Sequence, residues 1–578
     1  MNSLTRRTVG FFSGLCVGAL LPFAPLKPAN AAERVTLTFG FAEISTSVES
    51  LRAYGERGEV SEELAPYLKL LSDEQRSQFR QALQARQDVG PAQISQFLYS
   101  SIGDNILRYL GGIVQTAGRR DGAKGLRGAL VLAAAEPEGL SVVGVLENFP
   151  TSSVRIDSLR GFQSFGAFAE LIEDTDRAIA VIAEQSGNTQ APTSIELSTL
   201  TQPGPYRVSV QTIEVVDSER DRTLPTDLYL PEAVANAPLI VMSHGLAGDR
   251  DGFDDLGNHL ASHGFAVAAL DHPGSNRRQL EDLLQGAAQE IAQPTEFSAR
   301  PRDITYLIDE LARLNMASGP FANRIDTRRV GIIGHSFGGY TALATAGAQL
   351  DFDTLQANCL SDEFLFNAAN PSMVLQCTAL EAPAQFSLDL QDDRIQAVMA
   401  FNPVTSSLFG PTGFAQLSVP SLLVAGSNDP VAPALLEQIR PFTWLNRAET
   451  ETALPHYLAL IEGGSHLYDP PDLDGADVPL ANSLVSADVP LAESYLRALS
   501  LGFMQAQIAQ DDRYRGVVAS PAGLSQQPLP LSVVSALSEE MLSAITEAPA
   551  TEAPAELPAE TPTEAVPLEE NSPQGSAL

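Results

Sequence analysis

Residues 328–343 are RRVGIIGHSFGGYTAL, and the order of residue types in this stretch predicts a strand, a sharp turn and a helix. The apolar, β-branched run 330–333 is typical of a buried strand, and the small residues after Gly338 are typical of a helix. Between them, Gly334, Ser336 and Gly338 form a GxSxG pattern, which is typical of a nucleophilic serine on a tight strand-to-helix turn. The alternative is an ordinary serine in a glycine-rich loop, so the rest of the chain must decide.

Similar apolar runs lie on both sides of this stretch and alternate with helical segments. Two opening strands, YRVSVQTIEVV and PTDLYLP, precede APLIVMSHG, FAVAALDHPG, RVGIIGHS, IQAVMAFNP, VPSLLVAGSND and YLALIEGGSH. Near-continuous apolar strands separated by helices predict a mostly parallel sheet that is covered on both faces. Sites in such sheets lie at the carboxyl ends of the strands, where this chain places polar residues and glycines. The sequence therefore predicts an α/β domain over residues 205–510.

The positions of the histidines and aspartates along the chain indicate which of them could act as base and acid for Ser336. Of seven histidines, only His456 and His466 follow Ser336, as the chain order Ser, acid, His requires. His456 begins the last strand, whereas His466 follows it at the edge expected for the site, so His466 is the predicted base. Asp429 ends the preceding strand and is the predicted acid, because the other aspartates after Ser336 lie in an insertion or before a strand.

Backbone amides complete the predicted site, and no metal is predicted. The expected oxyanion donors are the N–H groups of Phe337, directly after the nucleophile, and of Leu246, in the loop after VMSHG. The aspartate-rich stretch DRDGFDDLGNHL superficially suggests calcium. An EF-hand loop needs glycine and glutamate where this stretch has Asp254 and Leu260, so its acids are better explained as a helix start.

The amino terminus predicts export. Residues 1–31 join a basic pair, Arg6 and Arg7, to an apolar run and an A-x-A site, which is typical of a cleaved signal peptide and also hints at the twin-arginine route. The alternative is a membrane anchor, but the run is short and is broken by Gly and Pro. No later stretch is long and apolar enough to span a bilayer, so we expect a periplasmic or secreted protein.

Cysteine usage is compatible with export. Cys16 would leave with the signal, and Cys359 and Cys377 would remain, 18 residues apart. In an oxidising compartment this pair could form a disulfide, and the alternative is two buried free thiols. No cysteine spacing typical of a metal site is present.

Charge and composition bound the remaining parts of the chain. The formal net charge of −35 argues against nucleic acid and anionic membranes as partners. Residues 33–190 are predicted to form a mainly helical domain, with Ser72 and Gln75 as a capping box. Residues 516–578, which contain nine Glu and no Lys or Arg, are predicted to be a disordered tail, in which LSVVSALSEEMLSAI has the pattern of a short transient helix.

The motifs SHGLAGDRDGF, DHPGSN and GHSFGGY resemble the α/β-hydrolase superfamily over residues 205–510, and its dienelactone-hydrolase-like and platelet-activating-factor acetylhydrolase-like branch in particular. SVESLRAYGERGEV is similar to a domain of unknown function that precedes such hydrolase domains in exported cyanobacterial proteins. The resemblance implies an α/β-hydrolase fold preceded by a mainly α-helical domain, and ester cleavage through an acyl-enzyme without a cofactor.

Carried over to this sequence, the resemblance implies Ser336, Asp429 and His466 as a catalytic triad and Leu246 and Phe337 as oxyanion donors. Acetylhydrolases of this type take their acid from the strand after the nucleophile's strand. Here that strand ends in an asparagine, residue 402, so the acid has moved to Asp429. True dienelactone hydrolases use a cysteine nucleophile, which Ser336 replaces.

Three functions are compatible with these residues. The first is an exported carboxylesterase or lipase that acts on small-molecule or lipid esters. The second is a serine peptidase or polyester hydrolase that uses the same triad, and the third is a binding protein that keeps the fold without turnover. The long insertions 275–300 and 351–392 are predicted to form part of a lid over the site. The alternative is that both pack on the far side.

Overall fold

A computed structural model of the protein describes residues 31–537, with breaks at 40–41, 70, 189–194, 196, 317, 320, 361–369, 446–453, 468–483 and 520–524. The predicted signal peptide and the Pro/Ala/Glu-rich part of the tail lie outside these residues. Thirteen strands are described: β1 Arg34–Phe39, β2 Ala42–Ser47, β3 Val114–Thr116, β4 Ser153–Asp157, β5 Val208–Asp217, β6 Arg222–Pro231, β7 Ala237–Ser243, β8 Ala266–Leu270, β9 Ile325–His335, β10 Ile395–Phe401, β11 Ser421–Gly426, β12 His456–Ile461 and β13 Leu531–Val534.

The α-helices described between these strands run as follows: α1 Val48–Arg57, α2 Ala65–Leu68, α3 Asp73–Gln84, α4 Pro91–Tyr99, α5 Ser101–Ile113, α6 Ala123–Ala134, α7 Val142–Glu147, α8 Ser158–Asn188, α9 Leu197–Thr201, α10 Asp254–Ser262, α11 Arg277–Leu284, α12 Glu296–Leu314, α13 Phe337–Thr345, α14 Phe352–Leu360, α15 Met373–Gln376, α16 Ser406–Phe414, α17 Arg440–Trp444, α18 Val489–Gln507 and α19 Arg515–Ala519. In the described chain no helix is both long and apolar enough to cross a membrane.

The larger sheet confirms the predicted α/β architecture. Its strand order is β13-β12-β11-β10-β9-β7-β8-β6-β5, and the pairs from β12 to β8 are all parallel. In β7, Leu239 and Val241 face one hydrophobic cluster while Ile240 and Met242 face another, so both faces of the sheet are buried. Alternation between two buried faces is the reason that this strand is apolar throughout.

The amino-terminal region contains a sheet that the sequence did not predict. Its helices include α3, which begins with the predicted Ser72–Gln75 capping box. Beside them lies a four-stranded sheet of order β2-β1-β4-β3, in which β1 and β4 are parallel. These strands have three to six residues, and β1 pairs with a strand more than 100 residues away in sequence. Local periodicity cannot detect such a pairing, so the mainly helical prediction missed it.

The prediction of a disordered tail from residue 516 is wrong for its first part. Arg515–Ala519 form the short helix α19, and Leu531–Val534 form β13, which pairs antiparallel with β12 at the edge of the large sheet. The predicted transient helix in LSVVSALSEEMLSAI therefore begins as a strand. The reason is burial, because Leu531, Val533 and Val534 cover apolar surface beside β12. Averaging over the whole tail hid this short apolar run.

The amino-terminal region contacts the large sheet at β13. The hydroxyl of Ser186, near the end of α8, accepts a hydrogen bond from the N–H of Val533 at 3.0 Å, and the Gln185 amide donates to the Ala536 carbonyl at 2.6 Å. Ala178 and Ile182 of α8 belong to the hydrophobic cluster on one face of the sheet. One end of the described chain is thus packed against the other.

The second insertion is cross-linked within itself by a disulfide and is bonded to the core through Glu437. A disulfide joins Cys359 to Cys377, with 5.7 Å between the Cα atoms, as one of the two alternatives from the sequence had it. The fully buried Glu437 accepts hydrogen bonds from Asn370, Ser372 and Gln376 in or beside α15. These bonds fix the carboxyl-terminal half of the insertion.

The first insertion and the second both touch the amino-terminal helices. At the start of α5, the Ser101 N–H donates to Glu290 at 2.8 Å, and the Ser101 hydroxyl lies 3.1 Å from Glu381. The amino-terminal region therefore docks onto the two insertions. That this assembly forms a lid over the site stays a prediction.

Candidate active site

Ser336 lies on the turn between β9 and α13, and its backbone has φ 55° and ψ −117°. A positive φ is uncommon for a residue with a side chain. Neither flanking glycine could be replaced by a residue with a side chain. A Cβ at Gly334 would lie 2.0 Å from the Gly338 carbonyl oxygen, and a Cβ at Gly338 would lie 1.9 Å from the Ser243 carbonyl oxygen. The GxSxG pattern is therefore required here by close backbone contacts.

The three side chains that the sequence singled out are in hydrogen-bond contact. His466 Nε2 lies 3.0 Å from Ser336 Oγ, and His466 Nδ1 lies 2.7 Å from Asp429 Oδ2. The exposed fractions are 5% for Ser336, 5% for Asp429 and 7% for His466. A neutral imidazole beside a carboxylate donates from Nδ1, which leaves the Nε2 lone pair facing the serine hydroxyl.

Asp429 is fixed by backbone donors. Its second oxygen, Oδ1, accepts the N–H groups of Val431 at 2.8 Å and Ala432 at 2.9 Å in the turn after β11. The carboxylate therefore presents only Oδ2 to the imidazole. His456, the other histidine that follows Ser336, lies at the start of β12 and contacts Ser421 Oγ through Nδ1 at 2.8 Å. The structure does not bring His456 to the serine.

The two predicted oxyanion donors flank Ser336. Phe337 is the first residue of α13, and Leu246 follows Gly245, where a Cβ would lie 3.3 Å from Ser336 Cβ. Among the described residues, neither the Phe337 nor the Leu246 amide donates to a backbone carbonyl. In the described chain, therefore, no backbone carbonyl occupies either amide, as the predicted oxyanion role requires.

A buried hydrogen-bond network supports the loop after β7. His272 Nδ1 donates to Asp303 Oδ2 at 3.0 Å, and the Ser243 hydroxyl lies 3.0 Å from His272 Nε2. The His272 backbone N–H donates to His244 Nε2 at 3.0 Å, and His244 Nδ1 donates to the Gly245 carbonyl at 2.7 Å. Burial holds the pKa of both imidazoles well below the usual value, so both are neutral. The network ties the His244 side chain to the Gly245 carbonyl and to the backbone of His272.

Arg300 joins this network to the helix of the predicted nucleophile. Its guanidinium is fully buried, donates to the His244 carbonyl and lies 4.4 Å above the ring of Phe337. Burial lowers the pKa of Arg300 to about 9. Nearby, Arg222 pairs with Glu296 at 2.7 Å. The buried guanidinium thus contacts Phe337 and the carbonyl of His244, two residues before Leu246.

Sequence reasoning missed this network. His244 and His272 were noted only as polar residues at strand ends. Arg300 and Asp303 lie in the predicted helical stretch before β9, where charged residues usually face solvent, so nothing marked them as buried. A signal was present in FSARPRDITYLI, where both charged residues are spaced among the apolar ones of the buried helix face.

The aspartates of the calcium-like stretch are paired with other protein groups. Asp249 pairs with Arg277 at 2.6 Å, and Asp254 accepts a hydrogen bond from the Tyr229 hydroxyl. Within the described ranges no three His, Cys, Asp or Glu residues are grouped as a metal ion would require.

Because it buries neutral histidines, the folded protein should lose stability in mild acid. Burial lowers the pKa of His259 to about 4, whereas an unfolded chain binds the proton below about pH 6.5. Between these two pKa values the unfolded chain binds a proton that the folded protein does not bind. The free energy of unfolding is therefore about 2 kcal/mol lower at pH 5 than at pH 7 because of this one histidine. We expect denaturant unfolding of His259→Gln to lose about 2 kcal/mol less than wild type over this interval. Equal losses would contradict the assignment.

Two family descriptions match the chain. "Alpha/beta hydrolase family" matches residues 240–478, which contain Ser336, Asp429 and His466, and "Alpha/beta hydrolase of unknown function" matches residues 31–157. The chain belongs to the α/β-hydrolase superfamily. The second match places the amino-terminal region, too, in a family that this superfamily includes.

Individual known proteins are similar to this chain over shorter stretches. Platelet-activating factor acetylhydrolase from Cavia porcellus is 29% identical over 136 residues, which are 19% of this chain and 31% of the acetylhydrolase. Cutinase est1 from Thermobifida alba is 29% identical over 160 residues, 26% of this chain and 43% of the cutinase. Quorum-quenching protein AidA from Acinetobacter baumannii is 28% identical over 216 residues, 35% of this chain and 62% of that protein. The chain spans about a third to three fifths of these relatives.

Proposed function

We propose that this chain is an exported serine hydrolase that cleaves carboxylic esters through an acyl-enzyme on Ser336. The observation that carries the proposal is the continuous contact from Ser336 Oγ through His466 to Asp429, at 3.0 and 2.7 Å. A serine hydroxyl becomes a nucleophile when an oriented base takes its proton. The similarity to an acetylhydrolase and a cutinase supports an ester as the substrate.

The residues would act in two half-reactions. Ser336 Oγ attacks the ester carbonyl while its proton passes to His466 Nε2, and the carbonyl oxygen becomes an oxyanion beside the amides of Leu246 and Phe337. As the carbonyl re-forms, the bond to the alcohol breaks and His466 returns the proton to that alcohol. Water then attacks the acyl-enzyme with His466 again as base, releasing the acid and Ser336. Asp429 holds the imidazole throughout.

The substrate range is tested with a matched set of compounds. We expect the purified full chain to hydrolyse p-nitrophenyl esters of graded acyl length and to react with a fluorophosphonate probe at Ser336. The corresponding p-nitroanilides should react far more slowly, because an amine is a poorer leaving group than a phenol. Comparable anilide turnover would favour the serine peptidase, and the absence of labelling in folded protein would favour the binding protein.

A polyester hydrolase is the second candidate, and the similarity to cutinase est1 favours it. The polyester hydrolase and the esterase can be distinguished by comparing the release of soluble acid from a polyester film with its release from a short soluble diester. Film hydrolysis at a rate near that of the soluble diester would select the polyester hydrolase. Activity on the soluble diester alone would select the esterase.

A further inference from the structure

Asn402 lies directly after β10 and has no assigned role in the proposed triad. It is fully buried, and its φ of 43° places its backbone in the left-handed region. Asparagine tolerates this conformation better than most residues with side chains. The backbone carbonyl of the preceding residue, Phe401, accepts the Ser336 N–H at 2.9 Å. Asn402 therefore directly follows a residue that is hydrogen-bonded to the backbone of the nucleophile.

The Asn402 amide ties the loop of the base to the turn of the acid. Nδ2 donates to the carbonyl of Ser465 at 2.9 Å and to the carbonyl of His466 at 3.1 Å. Oδ1 accepts the N–H of Gly426 at 2.9 Å, at the end of β11, where the turn to Asp429 begins. Both N–H groups and the oxygen of this one amide are therefore used.

A second side chain holds the same carbonyl. His335 Nε2 lies 2.8 Å from the His466 carbonyl oxygen and must donate to it, since a carbonyl has no proton to give. Burial lowers the pKa of His335 to about 4, so the imidazole is neutral and donates from Nε2. The carbonyl of His466 thus receives two side-chain donors, one from the last residue of β9 and one from the residue directly after β10.

We propose that Asn402 is a positioning residue that sets the distance between His466 Nε2 and Ser336 Oγ by holding the peptides of residues 465 and 466 against Gly426. The inference rests on the proposed function, in which that distance controls proton transfer. This positioning role requires an amide. A carboxylate at residue 402 could accept the Gly426 N–H with one oxygen, but its other oxygen would face two carbonyl oxygens without a proton to donate. The peptides that carry the imidazole would then be pushed away.

Asn402→Asp tests the proposal with almost no change of shape. We expect kcat for a p-nitrophenyl ester to fall about 100-fold, the size of effect that a small misplacement of a catalytic group produces, with KM within about twofold of wild type. The matched control is Asn323→Asp, which makes the same change at an exposed asparagine that also has a left-handed backbone, and it should retain wild-type kcat within twofold. A folded Asn402→Asp variant with kcat within threefold of wild type would overturn the proposal.

A proton NMR measurement reads the position of the imidazole without turnover. The Nδ1 proton shared by His466 and Asp429 should give a far-downfield resonance in wild type and in Asn323→Asp, and this resonance should shift or disappear in Asn402→Asp. If wild type hydrolyses no ester, the proposed function fails, and the resonance still decides the role of Asn402. An unchanged resonance in folded Asn402→Asp contradicts that role.

Asn402→Gly provides the test if Asn402→Asp does not fold. Glycine adopts the left-handed backbone of residue 402 without strain, and the change removes all three side-chain hydrogen bonds without adding a charge. We expect kcat to fall about tenfold with KM retained, together with a shifted downfield resonance, because His335 still donates to the His466 carbonyl. A folded Asn402→Gly variant with unchanged kcat and resonance would show that the peptides of residues 465 and 466 need no bond to residue 402, and the proposal would be wrong.

Discussion

Ser336→Ala should reduce kcat/KM for a p-nitrophenyl ester by about 10⁴-fold or more, because no other group in the site can form the acyl-enzyme. Removing one oxygen leaves the buried imidazole and the glycine contacts around the turn in place. We therefore expect the thermal unfolding midpoint to stay close to that of wild type, and fluorophosphonate labelling to be lost. The measurement is initial-rate kinetics at several ester concentrations, with labelling followed by intact mass.

The matched control for this variant is Ser218→Ala, which removes a hydroxyl from an exposed turn between β5 and β6. It should keep wild-type kinetics and labelling. If Ser336→Ala retained ester turnover at the wild-type rate, the activity would come from another site or another protein in the preparation, and the assignment of Ser336 would be wrong.

Asp429→Asn should lower kcat by about 10⁴-fold while the fold is retained. The reason is the direction of hydrogen bonds around the side chain. The Val431 and Ala432 N–H groups need an acceptor, so the asparagine oxygen must face them and its NH₂ group must face His466. The imidazole then accepts at Nδ1 and carries its proton on Nε2, where it cannot take the proton of Ser336.

Two features distinguish this effect from a general loss of structure. Asp353→Asn, at an exposed aspartate in the second insertion, should have wild-type kcat. The residual activity of Asp429→Asn should rise at high pH, where hydroxide can replace the missing base, whereas an unfolded variant would show no such rise. A kcat within tenfold of wild type would contradict Asp429 as the acid.

The central strands were predictable from local sequence, and the Ser336–His466–Asp429 contact was predictable from the chain order of the three residues and their places at the ends of those strands. The central strands are short apolar runs with polar ends, and parallel order brings those ends to one edge. His466 was separable from His456 because one follows β12 and the other begins it. By contrast, β1 and β4 meet across more than 100 residues, and no local pattern records such a pairing.

The buried groups around the site were out of reach for a different reason. Arg300 looks like any charged residue in a helix, and only the packing of α12 against α13 makes it a buried donor to His244. Asn402 was noticed as a strand end that lacks an acid, but its bonds to Ser465 and His466 depend on a loop 60 residues later. The surroundings of these side chains are determined by tertiary contacts, and the residue types alone do not predict them.

The pairing of β13 with β12 has a consequence for how the protein can be divided. A chain cut at residue 510, the hydrolase boundary that motif matching alone suggests, would leave the apolar strand Leu458–Ile461 as an open edge with unpaired N–H and C=O groups. Such edges recruit strands from other molecules and lead to aggregation. Because Ser186 in α8 also holds Val533, removing the amino-terminal region would loosen the same edge from the opposite side. The protein is therefore best treated as a single unit when it is produced.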